Sequence, residues 1–254
     1  MSGVPAVKRA LRVLELLAQE PEPLTLQEIV ARTGIPVASC HAIMHTLLEE
    51  GYAAREAVGR TQVWSPTLQL YHLGSSVVSR LGLREVALPH LRTLSGALGV
   101  PAHLGVLVGA DVMYVEKVAA PSFIQFSTYP GLRTPFHLTA LGRAIAAFLP
   151  PPERAPLLTG LEPRFAKILE DVRAGGYATE DGDEVEGVGC VAAPVSDASG
   201  RVVASVGITG FSNELFRDGE IPALPDVLAA AERISRELGH RGGEGAPLPV
   251  SAAS

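Results

Sequence analysis

The chain has 254 residues, 47% of them hydrophobic and 19% charged, with a formal net charge of −6. That length suits two domains and buries a sizeable core, and no apolar run reaches the roughly 18–20 residues of a membrane span, so no membrane partner is expected. Met1-Ser-Gly-Val-Pro lacks the basic and apolar segments of a signal peptide. Cys40 and Cys190, the two cysteines of the sequence, fall in different proposed domains. A disulfide framework is therefore not expected, and a reducing cytoplasm is the expected compartment.

Divided along the chain, the charge is uneven. Residues 1–84 carry eight Lys/Arg against seven Asp/Glu, a balance of +1, which leaves thirteen and twenty, a balance of −7, for the rest. An acidic second part would be repelled by nucleic acid, so contact with DNA would fall to the first part alone.

Ala6–Ala18 reads as an amphipathic helix with Val7, Leu11, Leu14 and Leu17 on one side. After a Pro-containing break at Gln19–Pro23, Thr25-Leu-Gln-Glu28 is a capping box that opens a short helix. Thr33-Gly34-Ile35 forms a turn in which Gly34 takes the left-handed conformation, and Pro36 fits the first turn of the next helix. On that helix Cys40, Ile43, Met44, Leu47 and Leu48 form one apolar stripe, and Gly51 stops it. Tyr52–Glu56 and Thr61–Ser65 are predicted strands around an Ala57–Arg60 turn. Helix, turn, helix and hairpin together are the layout of a winged helix-turn-helix over residues 1–66, whose partner is duplex DNA.

Thr67–Ser79 is a second amphipathic stretch, and residues 67–84 are expected to form a linker helix. From there the pattern changes to helices flanking a mostly antiparallel sheet, an α+β sensor-like domain over residues 85–238. Leu83–Leu98 is a predicted helix. His103–Val108 and Val112–Val118 form a hairpin around Gly109-Ala-Asp111, and Phe123–Ser127 is a short strand. Helices follow at Thr139–Leu149, ended by Pro150-Pro151-Pro152, and at Arg164–Ala174, closed by Gly175-Gly176. Val188–Val195 and Val202–Thr209 make a second hairpin around Asp197-Ala-Ser-Gly200. Pro222–Leu238 is a closing helix. Residues 239–254, rich in Gly, Pro, Ala and Ser, are expected to form a disordered tail.

The helix Pro36–Glu50 is expected to enter the major groove. Opposite its apolar stripe lie Val37, Ala38, Ser39, His41, Ala42 and His45. Ser39 can hydrogen-bond a base or phosphate, Ala38 and Ala42 can touch thymine methyls, and the histidines can donate to bases or phosphates. Arg55 and Arg60 flank the wing turn and suit phosphates or the minor groove, while Lys8 and Arg9 can hold backbone from the first helix.

Other chemistries fit less well. His41 and His45 have metal-ligand spacing, but no suitable third ligand stands beside them, so no metal is expected. The acidic run Glu180, Asp181, Asp183, Glu184, Glu186 fails the calcium-loop pattern at Val185 and Glu186 and reads as a solvated loop with room for one carboxylate turned inward. Gly187-Val-Gly189-Cys-Val-Ala192 mimics a dinucleotide fingerprint but follows an acidic loop and enters a β-rich run. Neither GxSxG nor GxxxxGK[ST] occurs, and Cys190 with His137 is the remaining nucleophile–base candidate. No enzyme activity and no cofactor are expected. The alternatives to a regulator are an effector-binding module that works by protein contact without DNA and, further off, a small-molecule enzyme.

Four stretches in order carry a resemblance: Val7-Lys-Arg-Ala-Leu-Arg-Val-Leu-Glu-Leu-Leu17; Thr33-Gly-Ile-Pro36 through Leu47 to Gly51-Tyr52; Pro135-Phe-His-Leu-Thr-Ala-Leu-Gly-Arg-Ala144; and Gly176-Tyr-Ala-Thr-Glu-Asp181 on to Gly187-Val-Gly-Cys-Val-Ala-Ala-Pro-Val195 and Asp197-Ala-Ser-Gly200. Over roughly residues 5–238 the chain resembles the IclR family of bacterial transcriptional regulators. The resemblance implies a winged helix, a linker helix and a GAF-like effector domain, assembled as homodimers or homotetramers on double-stranded operator DNA. It places Ala140 and Leu141, beside the expected cap Thr139, where the family holds the acid group of its effectors. Phe123, Phe126 and Thr134 match pocket walls, as do Val188 and Cys190 on one strand and Gly207 and Thr209 on the next. Glu180 or Asp181 matches an acidic pocket position. The small-molecule effector expected is an organic acid. Where family recognition helices commonly carry Lys or Arg, this chain has Val37 and Ala42. With no Lys or Arg between Arg32 and Arg55, the phosphate contribution is expected to be small, which favours paired heads reading two half-sites.

Overall fold

The computed structural model describes residues 4–80, 82–121 and 126–241, with backbone alone for 75–80. It separates into two compact units, one ending at Arg80 and one beginning at residue 81. No helix among the described residues is long and apolar enough to cross a membrane.

The first unit runs α1 (Pro5–Gln19), β1 (Leu24–Thr25), α2 (Leu26–Thr33), α3 (Val37–Glu49), β2 (Ala53–Val58), β3 (Thr61–Pro66) and α4 (Leu68–Arg80). The capping box at α2 is formed: Thr25 Oγ1 accepts from the Glu28 N–H at 3.3 Å, and Glu28 Oε2 accepts from the Thr25 N–H at 2.8 Å. Gly34 closes α2 with φ +68°, a left-handed conformation that costs a residue without Cβ little. Pro36 caps α3 from outside instead of joining its first turn. Cys40, Met44 and Leu47 of α3 meet Val13, Leu17, Ile29 and Trp64 in one core.

Two expectations shift here. In α1, Leu17 is buried as expected, but Val7 and Leu11 are 55% and 54% exposed and Val13 takes the inner face. The buried residues of α1, Val13 and Leu17, both lie in its C-terminal half, so the periodic stripe outruns the core it serves. The wing turn tightens to Gly59-Arg60, because β2 and β3 stay in register through Val58↔Thr61. The two-residue β1 pairs with β3 and is too short to leave a periodic signal in the sequence.

The second unit contains α5 (Leu83–Leu98), β4 (Ala102–Val108), β5 (Asp111–Val118), β6 (Arg133–Pro135), a 3-10 turn (Phe136–Leu138), α6 (Ala140–Ala146), α7 (Pro151–Leu158), α8 (Pro163–Gly175), β7 (Ala178–Asp181), β8 (Val188–Ser196), β9 (Val202–Phe211), α9 (Ser212–Leu215) and α10 (Leu224–Glu237). Its six strands pair antiparallel throughout, in the order β6-β5-β4-β9-β8-β7. The helices α5 and α10 pack on each other and on the sheet, and α6, backed by α8, lies on β8, β9 and β4.

The helix expected at Thr139–Leu149 is shorter, ending at Ala146, and the prolines open α7 instead of only stopping α6. Proline at a first helical position loses no hydrogen bond, so a proline run can start a helix. Of the strand expected at Phe123–Ser127, Phe126 and Ser127 are not extended into a strand, and residues 123–125 lie outside the described residues. Of the expected tail, Gly239–Arg241 follow α10 directly, and residues 242–254 lie outside the described residues.

Candidate recognition face and effector cavity

The outer face of α3 carries Val37, Ala38, His41 and Ala42, all exposed, and His45, half-buried. Ser39 sits half-buried at its margin, closer to Ile43 than to the face. His41 and His45 lie ring to ring at 4.6 Å, and the ring of His45 stands edge-on to Trp64 at 6.3 Å. On the other side the Arg55 guanidinium lies 5.5 Å over the same indole. Trp64, 4% exposed, thus contacts both His45 of the helix and Arg55 of the wing. Arg60 is exposed in the wing turn, and on α1 Lys8 is exposed and Arg9 half-buried. Thr46 also reaches the outer face. The sequence reading passed over it, and its hydroxyl donates to the Ala42 carbonyl at 3.1 Å.

In the second unit a small cavity opens between the start of α6 and the centre of the sheet. Six of the twelve expected effector positions line it: Thr139, Ala140, Leu141, Cys190, Gly207 and Thr209. The side chain of Thr139 accepts from the Gly142 N–H at 3.0 Å. The first-turn N–H groups of Ala140 and Leu141 have no partner within the helix. A Cβ on Gly142 would stand 2.4 Å from the Phe136 carbonyl oxygen, so only glycine lets the 3-10 turn fold back onto α6. Ser205 of β9 donates to the Leu141 carbonyl at 2.8 Å and ties the helix start to the sheet.

His103 and Tyr114 also line the cavity, and the sequence reading missed both. Their one signal was an inward place in the alternation of β4 and β5. His103 bonds Thr128 Oγ1 at 2.8 Å and packs edge-on against Tyr114 at 5.4 Å. Burial, reinforced by Lys117, pushes its pKa down to about 3, so the ring is neutral. Lys117 turns away to donate to the carbonyls of Phe126 and Thr128 at 2.7 and 2.9 Å. Burial likewise raises the Tyr114 phenol and pushes the Cys190 thiol up to about 12. Cys190 shares a hydrogen bond with Thr209 at 3.3 Å. The cavity therefore holds hydroxyls, a neutral imidazole and an un-ionised thiol.

The other expected positions among the described residues do not line the cavity. Phe126 stacks on Phe211 at 5.8 Å, Val188 begins β8 opposite Phe211, and Thr134 of β6 donates to Glu184 at 3.4 Å. Phe123 lies outside the described residues. Of the acidic pair, Glu180 is 2% exposed and is paired across the strands with Cys190, whereas Asp181 is exposed. Burial raises the Glu180 pKa against the pull of two N–H donors, Asp183 at 2.6 Å and Glu184 at 3.2 Å. The stretch read as a solvated loop is thus anchored at Glu180 and Asp183, while Glu184 to Glu186 are exposed. Glu180 gathers its first turn, and Asp183 lies between the guanidinium groups of Arg143 and Arg164 at 2.5 and 3.2 Å. A short acidic run reads as loop because its ordering partners, Arg143 and Arg164, are distant in sequence.

Cys190 and His137 do not form a nucleophile–base pair. The His137 ring packs on Phe165 at 4.9 Å, and a thiol held at about 12 is a poor source of thiolate. Among the described residues no group of three His, Cys, Asp or Glu side chains could hold a metal ion.

The IclR helix-turn-helix domain matches residues 6–57, and the family described as "Bacterial transcriptional regulator IclR C-terminal" matches residues 75–236. The Glycerol operon regulatory protein of Streptomyces coelicolor is 33% identical over 252 residues, covering 93% of this chain and 97% of that protein. The crystal structure of the Thermotoga maritima IclR is similar with a TM-score of 0.72 and 28% identity, over 92% of this chain and 98% of that one. An IclR homolog from Microbacterium hydrocarbonoxydans, complexed with 4-hydroxybenzoate, shares the fold at a TM-score of 0.78 and 21% identity, over 92% and 98% of the two chains. The curated relatives are regulators, not enzymes. With both halves matched in order, this chain belongs to the IclR family of DNA-binding bacterial transcriptional regulators, made of an N-terminal helix-turn-helix and a C-terminal α+β domain.

Proposed function

We propose that the second unit, read as a GAF-like domain over residues 85–238, is a sensor for a small organic acid. We further propose that it governs operator binding by the winged helix of residues 1–66 through the linker of residues 67–84. The observation that carries the effector reading is the cavity at the start of α6, lined by Thr139, Ala140, Leu141 and Thr209 and bearing no ionised side chain. A carboxylate there meets hydroxyls and the first-turn N–H groups, and the acid's body rests on Leu141, Val191 and Ile208. The cavity is small, which suits a small acid over a large ligand. That the related homolog from Microbacterium hydrocarbonoxydans was crystallised with 4-hydroxybenzoate agrees with an acid of this size.

DNA contact is assigned to Val37, Ala38, Ser39, His41, Ala42 and His45 of α3, to Arg55 and Arg60 of the wing, and to Lys8 and Arg9 of α1. The proposed assembly is a homodimer or homotetramer. In its support, Val4, Val7 and Leu11 form an exposed apolar stripe on α1, and Leu68, Tyr71 and Leu73 are exposed on α4. The cytoplasm is the compartment in which such a regulator meets its operator.

Calorimetry with a panel of small carboxylates and their uncharged amides tests the effector reading. Binding of an acid without its amide is expected. Binding of sugars or cations alone would overturn it. Light scattering of the free protein tests the assembly, and a monomer at micromolar concentration would overturn it.

A further inference from the structure

Direct reading of bases in the major groove uses a short list of side chains. Arg and Lys hold guanine, Asn and Gln hold adenine, and apolar groups touch the methyl of thymine. Between Val37 and Glu49, α3 contains no Arg, Lys, Asn or Gln. Its N-terminal two turns present four residues at i, i+1, i+4 and i+5, namely Val37, Ala38, His41 and Ala42, all exposed. Three of the four are aliphatic. Val37 is 62% exposed in the free protein, so its side chain is available for contact. The hydroxyl nearest this patch, on Ser39, is half-buried at the margin, and that of Thr46 is engaged with the Ala42 carbonyl.

We infer that this regulator selects its operator chiefly through thymine methyl groups, read by Val37, Ala38 and Ala42, with His41 as the one polar base contact of the patch. The inference rests on the assignment of α3 as the groove-entering helix. His45 packs against Trp64 and pairs ring to ring with His41, which restrains the His41 imidazole beside the aliphatic positions. Guanine gains no bidentate partner from α3, so the half-site is T/A-rich where the helix lies, and discrimination at each contacted position equals the burial of one methyl.

Selection of the full-length protein against a random duplex library tests this, followed by replacement of each thymine of the recovered half-site with deoxyuridine, which lacks the methyl alone. The expected result is a T/A-rich core in which two or more thymines per half-site weaken binding about threefold to fivefold when demethylated. In the Val37→Ala variant the penalty at one of these positions is expected to shrink while the others stay. Far-UV circular dichroism and the thermal midpoint check that the variant is folded. A half-site built on guanine, or one in which every deoxyuridine is neutral, overturns the inference while leaving DNA binding intact. Failure of any duplex to be enriched overturns the inference and the DNA-binding assignment of α3 together.

Discussion

Arg143, in the middle of α6, holds Asp183, in the acidic turn after β7, at 2.5 Å. The same guanidinium donates to the His137 carbonyl at 2.7–2.9 Å and to the Thr179 carbonyl at 2.7 Å. One buried side chain, 4% exposed, therefore joins the 3-10 turn, α6, β7 and the acidic turn. Removing its charge and donors in Arg143→Met leaves those acceptors stranded and is expected to cost about 3–5 kcal/mol. Asp183→Asn removes one charged acceptor and is expected to cost about 1–2 kcal/mol. Burial pushes the Asp183 carboxyl up, but Arg143 and Arg164 outweigh it and hold the group below the usual carboxylate range. A depressed carboxylate stabilises the fold above its unfolded pKa of about 4, and the contribution is lost as pH falls through the folded value. Urea unfolding should therefore separate wild type from Asp183→Asn at pH 7, and the gap should narrow below pH 4. A constant gap would show that the charge plays no part.

His103 predicts a second acid effect, through the opposite charge. Its folded pKa is pushed down to about 3 by burial and by Lys117, while the unfolded ring titrates near 6.5. Between these values the unfolded chain binds a proton that the folded chain refuses, so stability falls as pH drops below about 6.5. At pH 4.5 the loss is on the order of 2–3 kcal/mol. His103→Gln should be less stable than wild type at pH 8 yet lose less between pH 7 and 4.5. Parallel pH profiles for the two proteins would rule out His103 as the source.

Thr139 and Gly142 separate capping from close packing within one short helix. Thr139→Ala loses the bond to the Gly142 N–H and is expected to cost about 1 kcal/mol. Gly142→Ala puts a methyl 2.4 Å from the Phe136 carbonyl oxygen, which only a backbone shift can relieve, at a cost of at least about 2–3 kcal/mol. The order of denaturation midpoints should be wild type, Thr139→Ala, Gly142→Ala. A Gly142→Ala protein as stable as wild type would mean that the 3-10 turn is free to move.

What could be read from the sequence follows from range. The capping box at Thr25–Glu28, the Gly34 turn and the Asp197–Gly200 hairpin are set by residues within five positions of one another, and the structure has all three. Strands β1, β6 and β7 escaped notice because two to four residues show no alternation, and β1 and β6 are moreover defined by partner strands well separated in sequence. The same holds at the cavity. Thr139 to Leu141 could be placed by their local motif, and Cys190, Gly207 and Thr209 by family resemblance. His103 and Tyr114 became cavity residues only when β4 and β5 were laid beside β9 and beneath α6. A β-bulge between Leu104 and Gly105 adds to this: it turns Tyr114 and Glu116 to opposite faces, and Glu116 meets Arg84 at 2.6 Å on α5. No periodicity rule anticipates an inserted residue. The inward choice of Glu180 over Asp181 likewise depended on which β-face met Cys190.

The sparse charge of the head makes its salt dependence a test of the proposed contacts. Each neutralised phosphate contributes about −0.9 to the slope of log K against log salt concentration. Arg60 in the wing turn is exposed and is assigned to the phosphate backbone. In a paired assembly Arg60→Ala removes two such contacts and should flatten the slope by about 1.8. Arg55 is held over Trp64 at 5.5 Å, so Arg55→Ala should flatten the slope similarly and also loosen the joint between wing and α3. His41→Ala behaves differently. His41 is assigned to a base contact instead of a phosphate contact, so this variant should weaken binding to the selected site by about tenfold without changing the slope. It should leave binding to unrelated duplexes unaltered. Equal loss on all sequences in His41→Ala, or an unchanged slope in Arg60→Ala, would reassign helix and wing alike: the helix to the backbone, and the wing away from it.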